Sequence, residues 1–184
     1  MCGIVGFVNN KENKEKIIKD MSKKIEHRGP DGEGFYIDDN CALAHRRLAI
    51  IDLNTGAQPI YNEDKSKVII YNGEVYNFKE LKEALLKKKH VFKTKTDTEV
   101  ILHGYEQWGE KLPNHLRGMF SFAIWDKNKN ELFMARDGFG IKPLYYAKFN
   151  DTFMFASEPK AFLANPDFEK KLNTDILSAY LCFN

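Results

Sequence analysis

The stretch MFSFAIWD, residues 119–126, is apolar on both of its alternating faces. Successive strand side chains point to opposite sides, so a strand with one wet face would alternate apolar with polar. Here Met119, Ala123 and Trp125 share one face while Phe120, Phe122 and Ile124 share the other. Such a strand belongs to a sheet covered on both sides. Working outward, ELFMAR (131–136), LYYAKF (144–149) and TFMFAS (152–157) are further strand signals. Asn/Asp/Lys turns join 119–126 to 131–136 and 144–149 to 152–157, which predicts two antiparallel hairpins. Towards the N-terminus, residues 3–8 read as a buried strand, 34–38 and 41–47 as two more, and VIIYNGEVY (68–76) as a strand running into a sharp Asn-Gly turn.

Helices fall between and beside these strands. Ile17, Ile18, Met21 and Ile25 have helical spacing, and that helix runs to about Glu26. Asn77 with Glu80, ahead of Leu81, Leu85 and Leu86, marks a second start. Thr96 with Glu99 opens a third, with Val100, Ile101, Tyr105 and Trp108 on one side. Strands and helices in separate blocks predict an α+β fold with sheets packed face to face and helices outside. From Leu172, LNTDILSAYLCFN reads as a helix capped at Asn173 or Thr174 that stops mid-pattern, so truncation is expected there.

Composition narrows the function classes. The 184 residues carry 28 basic and 26 acidic side chains, for a net charge of +2, which argues against a dedicated nucleic-acid binder. Lysines in KENKEKIIKDMSKK (11–24) alternate with acids and form a solvated helix face. No apolar stretch reaches the length of a membrane span, and no signal peptide is visible, so a cytoplasmic location without membrane contact is expected. Cys2, Cys41 and Cys182 are odd in number and widely spread, which suggests neither a disulfide framework nor a zinc motif. His27, His90, His103 and His115 also fit no metal motif, so no metal is expected.

Cys2 is a thiol directly behind the initiator methionine. Removal of Met before a small residue leaves Cys2 with a free α-amine of pKa about 7.7–8.0, able to serve as the base for its own thiol. On position alone, a small apolar residue entering a strand is the commoner reading. His45, in AHRRL, offers the rival Cys–His pair, though a structural histidine on a strand is more frequent. Asn72-Gly73 reads first as a turn, and as chemistry it supplies a side-chain amide and a main-chain N–H, the two donors of an oxyanion hole. Asp97 is a first-turn helix acid. Arg47, ending an apolar strand, is placed to hold a carboxylate through two parallel hydrogen bonds. Together these are the needs of a thiol amidohydrolase acting on a free amino acid.

Several ordered stretches carry a family resemblance. MCGIVGF (1–7), HRGPDGEG (27–34), AHRRLAIIDL (44–53), GAQP (56–59), YNGEVYN (71–77), TDTEV (96–100), RGMFSFAIWD (117–126) and ARDGFGIKPLYY (135–146) resemble the class II glutamine amidotransferases, which are N-terminal-nucleophile hydrolases. HRGPD, GAQP and RDGFGIKPLYY are most similar to the glutaminase domains of glutamine-hydrolysing asparagine synthetases. The resemblance implies a four-layer αββα sandwich of two antiparallel sheets. It implies that Cys2 attacks the side-chain amide of L-glutamine to give a γ-glutamyl thioester and ammonia, with its own α-amine as base. Asn72 and Gly73 match the oxyanion hole, and Arg47 the α-carboxylate binder, with the backbone of Leu48, Ala49, Ile50 and Ile51 lining the pocket. Glu74 and Asp97 match acids that orient the substrate.

The same resemblance implies a glutaminase domain over 1–171, with 172–184 as linker and start of an ATP-dependent synthetase domain. The pyrophosphate-binding pattern S-G-G-x-D-S of that domain does not occur in this sequence. No cofactor is implied here; ATP and Mg belong to the synthetase domain, which converts aspartate to asparagine. Apolar surface left around the ammonia tunnel would favour self-association into a homodimer. Glucosamine-phosphate synthases and phosphoribosyl amidotransferases use the same domain to feed other acceptors, and a retained Met1 would leave a silent glutamine-binding module.

Overall fold

The computed structural model describes residues 1–9, 12–48 and 56–183. Its elements run in the order β1 (Gly3–Val8), α1 (Lys14–Lys24), β2 (Gly32–Ile37), β3 (Cys41–Arg47), β4 (Ile60–Tyr61), β5 (Lys67–Val75), α2 (Phe78–Lys87), α3 (Asp97–Trp108), β6 (Gly118–Asp126), β7 (Glu131–Arg136), β8 (Tyr145–Phe149), β9 (Thr152–Ala156) and α4 (Leu177–Phe183). One sheet has the order β2-β3-β1-β9-β8 and the other β4-β5-β6-β7, with neighbours antiparallel throughout. The hairpins expected at β6–β7 and β8–β9 are present.

Period-two alternation sorts the apolar side chains into three layers. Ile4, Leu43 and Phe155 of the five-stranded sheet meet Val68, Ile70, Ala123 and Trp125 of the four-stranded sheet between the two. Outside the first sheet, Ile18 and Met21 of α1, with Ile25, pack on Val5, Phe7, Ala42 and Ala44. Outside the second, Leu85 of α2 and Val100 and Ile101 of α3 pack with Ile69, Phe122 and Ile124. The result is the αββα sandwich, and β6 is buried on both faces as its composition requires.

Two local readings change. Asn72-Gly73 is not a turn: β5 continues through it to Val75, paired residue by residue with β6. Gly73 keeps an ordinary strand φ, and its role is close approach, because a Cβ there would lie 2.3 Å from Met119 O and 2.7 Å from Phe120 Cα. The helix starts at Asn77 and Thr96 are where the sequence places them, yet neither side chain caps its own helix. Asn77 instead accepts from Arg117 N (2.9 Å) and donates to His115 O (2.9 Å), tying the start of α2 to the approach of β6. Glu99 of α3 accepts from Lys93 N (2.8 Å) and Thr94 N (2.6 Å).

Ile70 lies in the middle layer and is fully buried. Truncating such a side chain loses transfer free energy and leaves a cavity between two sheets that cannot collapse. Ile70→Ala is expected to cost about 2–5 kcal/mol, read as a lower urea midpoint at unchanged slope.

Candidate active site

The inner face of each sheet is apolar along most of its length and turns polar at one common end. In the five-stranded sheet, alternation carries Cys41 and Leu43 on to His45 and Arg47, and Ile4 back to Cys2. In the four-stranded sheet it carries Val68 and Ile70 on to Asn72 and Glu74, with Ser121 opposite Asn72. The site opens where the apolar layer between the sheets runs out. Cys2, Arg47, Leu48, Asn72, Gly73, Glu74 and Asp97 all line one cavity there, of about 160 Å³. Ala49, Ile50 and Ile51 lie outside the described residues. A larger hollow of about 950 Å³ between α1 and the β2–β3 turn is lined largely by Lys, Asp and Glu and contains no nucleophile.

Cys2 precedes a strand held on both sides, by β3 and by β9. Its Sγ sits between Leu48 N (3.4 Å) and Leu48 O (3.6 Å). Arg28, which the sequence reading gave no role, donates from Nε to Cys2 O (3.0 Å) and from NH1 to Glu158 Oε1 (3.0 Å). Burial raises the pKa of Glu158, but hydrogen bonds from Lys160, Arg28 and His27 outweigh it and hold it at about 2. The ion pair under the Cys2 main chain is therefore fixed across the neutral range. Gly29 lets this segment approach β3: a Cβ there would fall 2.4 Å from Arg46 C.

His45 does not pair with the thiol. Its Nε2 is 3.1 Å from Tyr71 O, an acceptor only, so Nε2 carries the proton. Burial, with the nearby Arg47 charge, drives its pKa down to about 4 against the opposing effect of that hydrogen bond. His45 is a neutral strut between the two sheets.

The edge of β5 is where the donors gather. Tyr71 N donates to Gln58 Oε1 (2.6 Å) and Val75 N to Asp97 Oδ2 (2.9 Å), both away from β6. Gly73 lies midway between them, and its partner Phe120 bonds through N and O to Asp137 on the other side. By the alternation of an antiparallel ladder, the Gly73 N–H points to the same open edge. Asn72 Nδ2 is buried and has no hydrogen-bond partner among the described residues. Asp97 Oδ2 also accepts from Tyr71 Oη (2.7 Å), which leaves Oδ1 uncommitted among the described residues. Two donors and a carboxylate thus face the cavity across from Cys2 and Arg47.

The motif around Asp137 closes one wall. The Asp137 carboxylate accepts from Phe120 N (3.2 Å), Ile141 N (2.9 Å) and Lys142 N (3.0 Å), and these bonds overcome burial to keep it below its usual pKa. Lys142 is thereby delivered to the cavity, where Nζ contacts Met1 Sδ at 3.2 Å. Gly34 is packed against the main chain of Gln58, so HRGPDGEG and GAQP meet in space. Arg28, Gln58 and Lys142 lie inside these motifs, and their signal in the sequence is the neighbouring glycines that permit close approach.

A sequence-family description, the glutamine amidotransferase domain, matches residues 1–184. Glutamine-hydrolyzing asparagine synthetase 2 of Bacillus subtilis (strain 168) is 47% identical over 178 residues, which is 94% of this chain and 24% of that protein. Glutamine-hydrolyzing asparagine synthetase 1 of the same organism is 45% identical over 100% of this chain and 30% of its own length. Glutamine-hydrolyzing asparagine synthetase 3 of Arabidopsis thaliana is 46% identical over 88% of this chain and 28% of its own length. The chain thus spans under a third of these relatives. Among solved structures, the B. subtilis glutamine phosphoribosylpyrophosphate amidotransferase complexed with ADP and GMP superposes with a TM-score of 0.74 at 22% identity, covering 89% of this chain and 43% of that one. That likeness is one of fold.

The buried, neutral His45 sets an acid limit on stability. The unfolded histidine takes up a proton near pH 6.5 while the folded one refuses it until about pH 4. Its contribution is therefore present above pH 6.5 and lost progressively as pH falls to 4, by about 3 kcal/mol. His45→Gln, which can still donate to Tyr71 O but does not titrate, should show a shallower fall in urea midpoint across that window. Parallel pH profiles for the two proteins would overturn the assignment.

Proposed function

The chain belongs to the glutamine amidotransferase domain family, and from that premise we propose that it hydrolyses the side-chain amide of L-glutamine at Cys2. The observation that carries the reading is the pair of donors on β5, a buried Asn72 Nδ2 without a partner among the described residues and the Gly73 N–H, across the cavity from the thiol. After Met1 is removed, the α-amine of Cys2 takes the thiol proton and the thiolate adds to the amide carbon. Asn72 and Gly73 hold the developing oxyanion, and the ammonium of Cys2 returns its proton to the leaving ammonia. A γ-glutamyl thioester remains. The freed amine then deprotonates water, which attacks the thioester to release glutamate and restore the thiol.

The rest of the cavity suits a zwitterion. Arg47, with the main chain of Leu48 to Ile51, takes the α-carboxylate by the fork geometry of a guanidinium. Asp97, through Oδ1, and Glu74 take the α-ammonium. Burying both charges at fixed positions orients the amide towards Cys2.

We assign the ammonia to an ATP- and magnesium-dependent synthetase domain that makes asparagine from aspartate in the whole cytoplasmic protein, with residues 1–171 as the glutaminase unit and 172–184 leading into the next. Phe139, Ile141, Tyr145 and Tyr146 are 96%, 55%, 48% and 72% exposed beside the cavity wall that carries Lys142. Exposed large apolar side chains at Phe139 and Ile141, next to Lys142, support a covering domain. The relatives' greater length supports the same reading.

Three measurements test this. Cys2→Ala should abolish ammonia release from glutamine. Asn72→Ala should lower kcat by about 10²–10³ with KM little changed, because the donor acts on the transition state. N-terminal mass spectrometry should find the active protein beginning at Cys2. Turnover by chains that retain Met1 would exclude the α-amine as base, and undiminished turnover in Cys2→Ala would end the proposal.

A further inference from the structure

A second constellation of reactive side chains lies on the outer helical layer. Glu63 follows β4, His90 follows α2, and His103 and Glu106 sit three residues apart on α3. Their ligand atoms all lie within 4.8 Å of one another. His103 Nδ1 is 2.8 Å from Glu106 Oε2 and 3.8 Å from Glu63 Oε2, and His90 Nδ1 is 3.6 Å from Glu106 Oε2. We propose that Glu63, His90, His103 and Glu106 bind one divalent transition-metal ion of the zinc class, which clamps α3 to the two loops beside it.

Size and chemistry agree with such an ion. A tetrahedral centre with bonds of about 2.0–2.2 Å has donor–donor edges of roughly 3.3–3.6 Å, and the observed separations bracket that value. Two imidazoles with two carboxylates suit zinc and its neighbours; calcium and magnesium prefer an all-oxygen shell.

The groups behind the ligands are also arranged as a metal site needs. The second oxygen of Glu106 accepts from Asn62 Nδ2 at 2.8 Å, and that of Glu63 from Val91 N at 3.3 Å. Each carboxylate is held from behind, with its other oxygen turned to the cluster. His103 Nε2 faces Glu99 Oε1 at 3.7 Å, and Glu99 is itself fixed by Lys93 N and Thr94 N. A buried carboxylate behind the far nitrogen of a ligating histidine sets its tautomer and leaves Nδ1 for the metal. His103 is buried, His90 and Glu106 are partly so, and Glu63 is the most open of the four, which gives the ion an entry path.

The expected effect is structural. α3 begins at Asp97, which carries the bonds to Tyr71 and Val75, so fixing its middle to two loops also steadies one wall of the amidohydrolase cavity. The ligands come from three segments, which is why no His spacing in the sequence announced them. The competing account is an ion-pair cluster in which His103 donates a proton to Glu106 and no metal enters.

Chelator-treated protein titrated with ZnCl2 near neutral pH separates the two. One ion per chain should bind by calorimetry and raise the thermal midpoint. CoCl2 in its place should give visible d–d bands without a thiolate charge-transfer band, which would instead report on Cys2. His90→Gln and Glu63→Gln, both loop positions that can change without loss of the fold, should each weaken binding by tenfold or more. The proposal is overturned if no saturable uptake occurs, if both variants bind zinc as tightly as the parent, or if cobalt shows the thiolate band alone.

Discussion

The hydrogen bond from Arg28 to the carbonyl oxygen of Cys2 is the contact on which the site depends. A chain terminus normally frays, because it lacks neighbours on one side. Here the residue after the terminus enters a strand flanked by β3 and β9, and the last free carbonyl is held by a guanidinium anchored on Glu158. Ser157 adds a reciprocal pair with Ile4, accepting from Ile4 N and donating to Ile4 O. The Cys2 thiol is then positioned by a sheet interior, the restraint that the proposed double role of this residue requires.

The end of the inner layer is built by leaving groups unsatisfied on both sheets. His45 Nδ1, Asn72 Nδ2 and Ser121 Oγ are buried without partners among the described residues, and all three sit where the inner faces turn polar. An unpaired buried polar atom costs on the order of 1–3 kcal/mol. The apolar layer of Ile4, Leu43, Val68, Ile70, Trp125 and Phe155 behind them supplies the stability that such a site spends. Stability and chemistry are segregated along the same strands, with the division falling between Leu43 and His45 and between Ile70 and Asn72.

This segregation explains what the sequence made legible. MFSFAIWD revealed a sheet covered on both faces because alternation is local, and each residue testifies to its own side. Cys41–Arg47 was readable to its ends for the same reason. Asn72-Gly73 was misread as a turn because its reason for being there is non-local: the glycine answers to Met119 O and Phe120 Cα on the neighbouring strand. Arg28, Gln58 and Lys142 escaped for a like cause, since each acts on a main-chain or side-chain atom far along the chain. The Glu63–His90–His103–Glu106 cluster is the extreme case, three segments with no spacing in common.

The edge of β5 shows how a strand can be completed and still keep a donor in hand. β4 pairs with β5 only at Val68 and Ile69 and then ends. Beyond that point side chains replace the missing strand: Gln58 takes the N–H of Tyr71 and Asp97 takes that of Val75. Had β4 run on, its carbonyls would have consumed every second N–H, Gly73 included. With two side chains in its place, the substitution can skip a position. The skipped N–H lies between two fixed neighbours, in a strand whose other edge is fully paired with β6, so it is rigidly aimed and has no partner among the described residues. Asn72, one residue earlier, faces the inner layer and brings its amide to the same end of the sandwich. Two donors of different origin therefore converge without any irregularity in the strand. A tight turn at Asn72-Gly73 would have offered the same two groups with far less restraint.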